Sequence, residues 1–432
     1  MEFEKVIFFL NNNFNLVHVM NLTRQIIKKN QLTVAILLVS GTFEQFYSKT
    51  LGLDKNSYLN KYRNDWSWDY TKGLKDEKIE PIIYIASQKY QGINETKDGF
   101  KVRFLPLKPW YQWLSKIRFP PKRFKIGTYC QSLINIMAYQ NSLLSALKED
   151  NIDLLYIQEY WSTHFDVLIN NVEIPIIGVD QGGNDSLAIK SHKQKSLPKA
   201  YKLQCQTLEE LEKVKNYSEN AVFLPNGVDT DFYCPLFSGN SCDNSNTILT
   251  VARADDRQKR TSDLLKALQH LPTSWSLQIA GVGKDLEYLQ DLACKLNISE
   301  RVYFLGFIGD KSELRKKYRQ CSVFALPSAW EGLPLAALEA MSCGCAIVTT
   351  DITAFDDIVI QEKTGIKVPV GEPFALAQGI LKCYENREFL SKEARQIIIN
   401  SYSKHKLFSQ LAEIIKSCPN LKTDFATLST QR

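Results

Sequence analysis

Short apolar segments alternate with helical segments along the C-terminal half of the chain, and this alternation restricts the fold more than any other feature. Strands that are apolar throughout are typical of a parallel sheet that is buried on both faces. Helices between such strands are the connections that parallel pairing requires. The pattern therefore predicts a doubly wound α/β domain. Its predicted strands are 247–252, 276–280, 302–307, 322–326, 346–350 and 365–368.

The N-terminal half shows a similar alternation, and 432 residues exceed what one ordinary core accommodates. We predict two Rossmann-like doubly wound domains that face a central cleft, where ligands bind at the carboxyl ends of the strands. The polar run 238–246 is typical of a connector. The predicted domains are 1–225, 226–400 and a helical segment 401–432 that packs back toward the first domain. The predicted N-terminal strands are 5–10, 32–39, 81–86, 102–107, 153–157 and 174–179.

Basic residues are concentrated in one part of a chain whose net charge is only +6. Between Gly99 and Lys148 there is no Asp or Glu, and aromatic residues accompany the basic ones from Lys108 to Lys125. A basic aromatic segment can bind nucleic acid, anionic lipid headgroups or an acidic acceptor, or it can be a solvated face. We expect no nucleic acid and retain an anionic membrane surface as the candidate partner.

Other features limit the cellular and metal chemistry. The N-terminus lacks the basic region of a signal peptide, so we expect a cytoplasmic protein, with the inner face of the membrane as a candidate peripheral location. The ten cysteines contain no C-x-x-C pair and are expected to be reduced. The five histidines show no ligand spacing, and Asp229-Thr230-Asp231 follows a Pro-Asn-Gly turn, where Asp favours turns and caps.

Two glutamates lie in an otherwise apolar stretch that runs from Pro327 to Met341. Glu331 lies in a predicted loop and Glu339 in the helix that follows, where a buried carboxylate is costly without a partner. Free N–H groups at the helix start suit an anion. We expect this stretch to hold a phosphorylated ligand. The residues at the helix start are Gly332, Leu333, Pro334 and Leu335.

Two cations are expected at the same sheet edge. Arg253 follows a buried strand and Lys259 precedes a helix, so both side chains can neutralise a diphosphate. Charges on the surface of a loop are the alternative. Gly281 and Gly283 follow another strand and would permit a phosphate to approach the backbone, but a tight turn is the favoured explanation of such a pair.

These motifs together resemble the nucleotide-sugar-binding domain of the family 4 glycosyltransferases of the GT-B fold, over residues from about 221 to 385. Several ordered motifs over that span carry the resemblance. They are 224–232, Arg253 with Lys259, 304–307, Pro327-Ser328 with Glu331 and Glu339, 339–348, and Lys363-Thr364-Gly365.

The resemblance implies a role for each matching position. Arg253 and Lys259 would bind the donor diphosphate, and Glu339 would hold the ribose hydroxyls. Glu331 would contact the transferred sugar, with the amides of Gly332 to Leu335 near the sugar and phosphate. Phe307 and Ile308 would lie by the base. The family is retaining and independent of metals, so we expect no cofactor and no metal ion. The implied partners are a nucleotide-diphosphate sugar and a glycan or lipid-linked acceptor, in surface polysaccharide synthesis.

The chain departs from the family pattern at several positions. The loop 11–15 has none of the paired glycines usual in the first loop, Pro334 replaces a glycine, and Lys259 is followed by Arg260 rather than glycine. The usual histidine of the N-terminal domain has no clear counterpart. Glu159, His164 and Asp180 are the alternatives for its catalytic place.

Two other functions remain open at this stage. One is a nucleotide-sugar epimerase of the same architecture, and the other is a non-catalytic subunit that binds a nucleotide sugar.

Overall fold

The computed structural model describes residues 31–39, 41–63, 65–116, 125–181, 188–236, 246–419 and 421. The chain divides into two compact units. The first contains the described residues up to Leu203 together with those from Ala412 onward, and the second is Gln204–Leu411. Each unit is built around a largely parallel sheet with helical connections, which confirms the predicted class of two Rossmann-like α/β domains.

The sheet of the first unit has its strands in the order β3-β4-β2-β1-β5-β6-β7, and the boundary between the units falls within β7. Neighbouring strands pair in parallel from β4 through β6, whereas β3 is antiparallel to β4. The predicted strands near 32–39, 81–86, 102–107, 153–157 and 174–179 are all present. The strands are β1 Thr33–Leu38, β2 Glu80–Ser87, β3 Gly92–Glu95, β4 Lys101–Pro106, β5 Leu154–Gln158, β6 Ile176–Val179 and β7 Lys202–Cys205.

Strand β1 is the point at which the order of this sheet reverses. Leu37 pairs with Tyr84 of β2 on one side and with Ile157 of β5 on the other. In open α/β sheets ligands bind at the carboxyl ends of the strands at such a reversal. The loop after β1 contains Gly41, with φ +125°. The predicted segments 5–10, 11–15 and 16–29 lie outside the described residues.

Residues 41–80 show no regular apolar period in the sequence, and most of their described positions are helical. A π-helical turn at Glu44–Ser48 is followed by α1 and α2. Asp54 and Asp65 cap these helices by accepting from the backbone N–H groups of Ser57 and Ser67. The helices of this unit are α1 Lys55–Asn60, α2 Trp66–Asp76, α3 Tyr111–Leu114, α4 Lys125–Glu149, α5 Thr163–Leu168 and α6 Lys190–Ser196.

The second sheet has six strands in the order β11-β10-β9-β12-β13-β14, and all of its pairings are parallel. Its order reverses at β9, which pairs with β10 and β12. All six strands were predicted, with ends shifted by a residue or so. Strand β8, Ala221–Phe223, precedes this sheet in the chain and is not one of its strands. The six strands of the sheet are β9 Thr247–Val251, β10 Ser276–Ala280, β11 Val302–Gly306, β12 Val323–Leu326, β13 Ile347–Thr350 and β14 Ile366–Val368.

The helix that carries Glu339 is buried on one side of this sheet. Its residues Leu338 and Met341 pack in a core with Phe324 of β12 and Ile347 of β13. The end of the last helix belongs to the first unit, where Tyr201 Oη donates to the carbonyl of Ile414 at 3.0 Å. The helices are α7 Leu208–Lys215, α8 Asp256–Lys259, α9 Thr261–Gln269, α10 Leu286–Lys295, α11 Lys311–Gln320, α12 Leu335–Ser342, α13 Pro373–Glu385, α14 Arg387–Ser401 and α15 Lys404–Lys416.

Candidate functional site

The loops after β9 and β12 bring Lys259 and Glu331 into direct contact. Lys259 Nζ donates to both carboxylate oxygens of Glu331, at 2.5 and 2.8 Å. Only 13% of the lysine side chain and 7% of the glutamate side chain are exposed. These two residues are 72 positions apart in the chain, and the reversal of strand order at β9 is what makes them neighbours.

Ser328 is a member of this site that the sequence analysis named only as part of a motif. Its side chain is buried, and its Oγ donates to Glu331 Oε1 at 2.6 Å. Its own carbonyl accepts from Thr350 Oγ1 at 2.5 Å. Glu331 is therefore held by an ammonium group and a hydroxyl group. A hydroxyl three residues before the glutamate, at the end of an apolar strand, was the available signal.

Arg253 lies at the same edge and is exposed. Its Nη2 donates to Gln258 Oε1 at 3.2 Å, while Gln258 Nε2 donates to the carbonyl of Trp330 at 3.2 Å. The N–H of Ala329 also donates to the carbonyl of Gln258, at 2.8 Å. Gln258 thus connects the Arg253 loop to the Glu331 loop, a role that the sequence did not reveal.

Arg260 occupies a position at which glycine is favoured. Its φ is 50° and its ψ is 38°, in the left-handed region. Its guanidinium donates to Asp263, with Nε at 2.5 Å from Oδ2. The departure from the family pattern leaves Lys259 in place beside Glu331, at the cost of a strained backbone one residue later.

At the two glycines after β10, the space that a Cβ would occupy is taken by carbonyl groups of the Arg253 loop. A Cβ at Gly281 would lie 1.9 Å from the carbonyl oxygen of Ala252, and one at Gly283 would lie 2.5 Å from that of Ala254. The turn interpretation of these glycines accounts for the contacts seen. They allow the loop after β10 to support the Arg253 loop, because the N–H of Ala254 donates to the carbonyl of Val282 at 3.1 Å.

Glu339 has a partner that the sequence did not identify. Tyr318 Oη donates to Glu339 Oε2 at 2.9 Å. Burial raises the pKa of Glu339, and the hydrogen bonds from Tyr318 and Tyr233 offset this only in part. The sequence suggested that this carboxyl group would be unpaired without a ligand. In the structure Tyr318 is its partner.

At the start of α12, fewer than four free backbone N–H groups are available from residues 332–335. Pro334 has no N–H and precedes the helix as its N-cap residue, while the N–H of Leu335 donates to the carbonyl of Leu333 at 3.0 Å. Gly332 is exposed, with no atom within 4 Å of an added Cβ. Phe307 follows β11 and is 67% exposed, and Ile308 beside it is half-buried.

Of the three N-terminal candidates, the structure brings Glu159 and Asp180 together. Glu159 follows β5 with φ 62°, and its N–H donates to the carbonyl of Val179 at 2.6 Å. Asp180 directly follows β6. Burial, followed by the charge of Asp180, raises the pKa of Glu159 to about 9. Among the described residues, Glu159 Oε2 is buried without a hydrogen-bond partner.

The surroundings of His164 differ from those of Glu159 and Asp180. It is 6% exposed and stacks on Tyr139, with ring centroids 6.2 Å apart. Burial, followed by the charge of Lys193, lowers its pKa to about 4. Lys193 Nζ is itself held by Asp166 Oδ1 at 2.8 Å. The structure thus places His164 among packed aromatic and charged neighbours in the interior of the first unit.

The described residues contain neither a metal-binding cluster nor a membrane-spanning helix. In the part of the chain that the structure describes, no three His, Cys, Asp or Glu side chains cluster as a metal site would require. Asp229 Oδ1 accepts from the N–H of Phe232 at 2.9 Å, which is a turn contact. No helix in the described ranges is both long enough and apolar enough to cross a bilayer.

Comparison with known proteins shows what the C-terminal region is similar to. Residues 237–404 match the family model of the glycosyl transferases group 1. An uncharacterized glycosyltransferase of Methanocaldococcus jannaschii is 30% identical over 179 residues, which is 40% of this chain and 45% of that protein. The lipopolysaccharide 1,6-galactosyltransferase of Escherichia coli is 27% identical over 174 residues, or 40% and 48% of the two chains. The alignments thus span about half the length of these curated relatives.

The fold of the whole chain also matches solved structures. HepE of Anabaena in complex with UDP superposes with a TM-score of 0.65 at 14% identity, covering 90% of this chain and all of HepE. A sequence identity this low supports a shared fold and no shared activity. The expected resemblance is therefore confirmed as a match to the group 1 family model, and glycosyltransferase is the class of that model and of both relatives.

The buried ion pair yields a stability prediction. Lys259→Met should lower the free energy of unfolding by about 3 kcal/mol, because Glu331 would keep its charge without its cation. The double variant Lys259→Met/Glu331→Gln should recover most of that loss. Urea unfolding followed by tryptophan fluorescence measures both. Equal losses in the single and double variants would show that the two side chains are not coupled.

The Glu159 carboxyl yields a pH prediction. Its folded-state pKa is about 9, above the ordinary 4.5, so its contribution to stability is complete below pH 4.5 and is lost as pH rises toward 9. Relative to the wild type, Glu159→Gln should therefore gain stability as pH rises from 5 to 8.5, by up to roughly 1.4 kcal/mol for each pH unit. Urea midpoints at both pH values, with the exposed Glu173→Gln as control, check this. A difference that shrinks as pH rises would contradict it.

Proposed function

We propose that this protein is a retaining glycosyltransferase that moves a sugar from a nucleotide-diphosphate sugar to a glycan or lipid-linked acceptor. The observation that carries the proposal is the assembly of Arg253, Lys259 and Glu331 at the carboxyl edge of the second sheet. An edge at which strand order reverses is where α/β sheets bind ligands. The match of residues 237–404 to the group 1 family model supports the same reaction class.

The donor is proposed to bind across this edge. Arg253 is exposed and Lys259 has only a small exposed fraction, and both are cations suited to the diphosphate. Glu331 would accept from hydroxyl groups of the transferred sugar, and Glu339 from those of the ribose. The exposed ring of Phe307, with Ile308, would lie against the base. That HepE was solved with UDP supports a nucleoside diphosphate as part of the ligand.

The chemistry proposed is departure of the nucleoside diphosphate from the sugar carbon with retained configuration. Negative charge develops on the leaving phosphate, and fixed cations lower the energy of that state most effectively where water is scarce. Arg253 and Lys259 would supply this charge, with Gly332 and Leu333 at the start of α12 contributing N–H groups. We propose that neither a metal ion nor an organic cofactor is required.

The acceptor and its location are proposed from the relatives. The Escherichia coli relative is named for transfer to lipopolysaccharide, which favours an acceptor of surface polysaccharide synthesis. Such acceptors are built on lipids, so we propose a cytoplasmic protein at the inner face of the membrane.

An exposed aromatic surface supports the membrane proposal. Trp113 in α3 is 77% exposed and Leu114 beside it is 38% exposed, although single exposed apolar residues are common. Lys108 and Lys116 flank this short helix. Trp at an interface with anionic headgroups nearby is a favourable arrangement. The remainder of the basic segment, 117–124, lies outside the described residues.

Arg253 provides the test of the reaction. The purified protein is incubated with a panel of nucleotide-diphosphate sugars, and release of the nucleoside diphosphate is followed. Arg253→Ala should reduce release from the productive donor by roughly 100-fold, as loss of one charge-stabilising donor does in other enzymes. Lys266→Ala, an exposed cation on α9 of the same unit, should change it little.

The outcomes separate the competing functions. Full activity of Arg253→Ala would refute the donor assignment. Binding of a nucleotide sugar without release would favour a non-catalytic subunit, and interconversion of the sugar without release would favour an epimerase.

Trp113 provides the test of the membrane surface. Wild-type protein should sediment with vesicles of phosphatidylcholine containing phosphatidylglycerol, and Trp113→Ala should bind them several-fold more weakly because its apolar ring no longer inserts. The exposed Met137→Ala on α4 serves as the matched control. Equal binding to purely zwitterionic vesicles would exclude the electrostatic contribution, and an unchanged Trp113→Ala would exclude this surface.

A further inference from the structure

The side chain of Tyr318 on α11 reaches the carboxyl group of Glu339 on α12. Tyr318 Oη donates to Glu339 Oε2 at 2.9 Å. Tyr318 is only 1% exposed, so water does not compete with its phenol for this oxygen, whereas Glu339 is half-buried. The phenol therefore fixes one carboxylate oxygen from the protein side.

The direction of this phenol is fixed by the packing around Tyr318. Two buried thiols donate to its backbone carbonyl, Cys345 Sγ at 2.9 Å and Cys321 Sγ at 3.3 Å. Its ring packs against those of Tyr233 and Phe324, with centroids 6.1 and 5.7 Å away. A side chain held at its backbone and on its ring has little freedom to turn away from its hydrogen-bond partner.

The hydrogen bond also favours the charged form of Glu339. Burial is the largest influence on the pKa of this carboxyl group and raises it. The hydrogen bonds from Tyr318 and Tyr233 lower the pKa, and the charges of Lys311 and Lys404 lower it less. Without the Tyr318 phenol, Glu339 would keep its proton to a higher pH. A protonated carboxyl group accepts more weakly from a hydroxyl than a carboxylate does.

We propose that Tyr318 is a positioning residue that lets the site distinguish a ribonucleotide from a 2′-deoxyribonucleotide, by holding the Glu339 carboxylate against the ribose hydroxyls. This role rests on the proposed function, in which Glu339 accepts from the ribose. A carboxylate held in one orientation loses an acceptor contact when a hydroxyl is missing. Sites that hydrogen-bond a hydroxyl reject the analogue that lacks it, because a buried polar group is then left unpaired.

Binding of nucleoside diphosphates to the whole protein tests this role without turnover. The probes are UDP and GDP, each paired with its 2′-deoxy counterpart, and isothermal titration calorimetry gives the dissociation constants. The wild type should bind the ribonucleotide about tenfold more tightly than the deoxyribonucleotide. Tyr318→Phe should reduce this ratio several-fold by weakening the ribonucleotide, with little change for the deoxyribonucleotide.

The pH dependence separates positioning from a loss of structure. In Tyr318→Phe the ratio should rise between pH 6.5 and pH 8.5, because the Glu339 carboxyl group regains its charge. Ionisation of the phosphates and of the base affects both members of a pair alike, so it cancels in the ratio. A purely structural defect would weaken both nucleotides equally at each pH.

Two further variants control for folding. Tyr303→Phe removes a phenol from a half-exposed ring on β11 and should leave the ratio unchanged. Glu339→Gln keeps the side-chain volume and should abolish the pH dependence, and adding Tyr318→Phe to it should then change the ratio little. Urea unfolding midpoints show whether each variant is folded. An unchanged ratio in Tyr318→Phe, or equal weakening of both nucleotides, would overturn the proposal.

The two proposals fail separately. If nucleoside diphosphate is released in an Arg253-dependent manner but the ratio does not depend on Tyr318, the role of Tyr318 is wrong and the transferase proposal stands. If the ratio depends on Tyr318 while no donor is turned over, the role of Tyr318 stands and the transferase proposal fails. Binding of no probe by the wild type would overturn the role of Tyr318.

Discussion

The candidate site of the second unit depends on one buried ion pair, that of Lys259 with Glu331. Withdrawing two charges from water costs several kcal/mol for each, so such a pair persists only when its geometry and its further hydrogen bonds are good. Here both carboxylate oxygens accept from the ammonium group, and one also accepts from Ser328. Gln258, one residue before Lys259, connects the same two loops. The pair therefore fixes the relative position of the loops that carry Arg253, Glu331 and the start of α12.

The same topological rule locates both candidate regions, and their charges differ. In each sheet the order of strands reverses at one strand, β1 in the first and β9 in the second. The edge at β9 presents Arg253 and Lys259, which attract phosphate. The edge at β1 presents Glu159 and Asp65, which do not.

The sequence predicted the features whose signal lies within one short stretch of the chain. The six strands of the second sheet are apolar runs, and parallel burial makes that signal strong. Arg253, Lys259 and Glu331 could be placed together because each adjoins such a run. The helices between 41 and 80 have no clear periodicity because Trp and Tyr are buried on them. Strands β3 and β7 include polar residues, so neither forms an apolar run. The bond from Tyr318 to Glu339 joins elements that are distant in sequence, so no local pattern contains it.

The left-handed backbone at Arg260 has a consequence for how this loop tolerates change. A left-handed conformation in a residue with a side chain lowers the free energy of unfolding. That free energy is only about 5 to 15 kcal/mol for a typical protein. Because this margin belongs to the whole fold, a destabilising mutation at any position starts from the reduced reserve. Glycine at this position would restore the reserve and forgo the contact with Asp263. Arg260 thus lowers the tolerance of the fold to further mutation, and in return its side chain forms an ion pair with Asp263 next to Lys259.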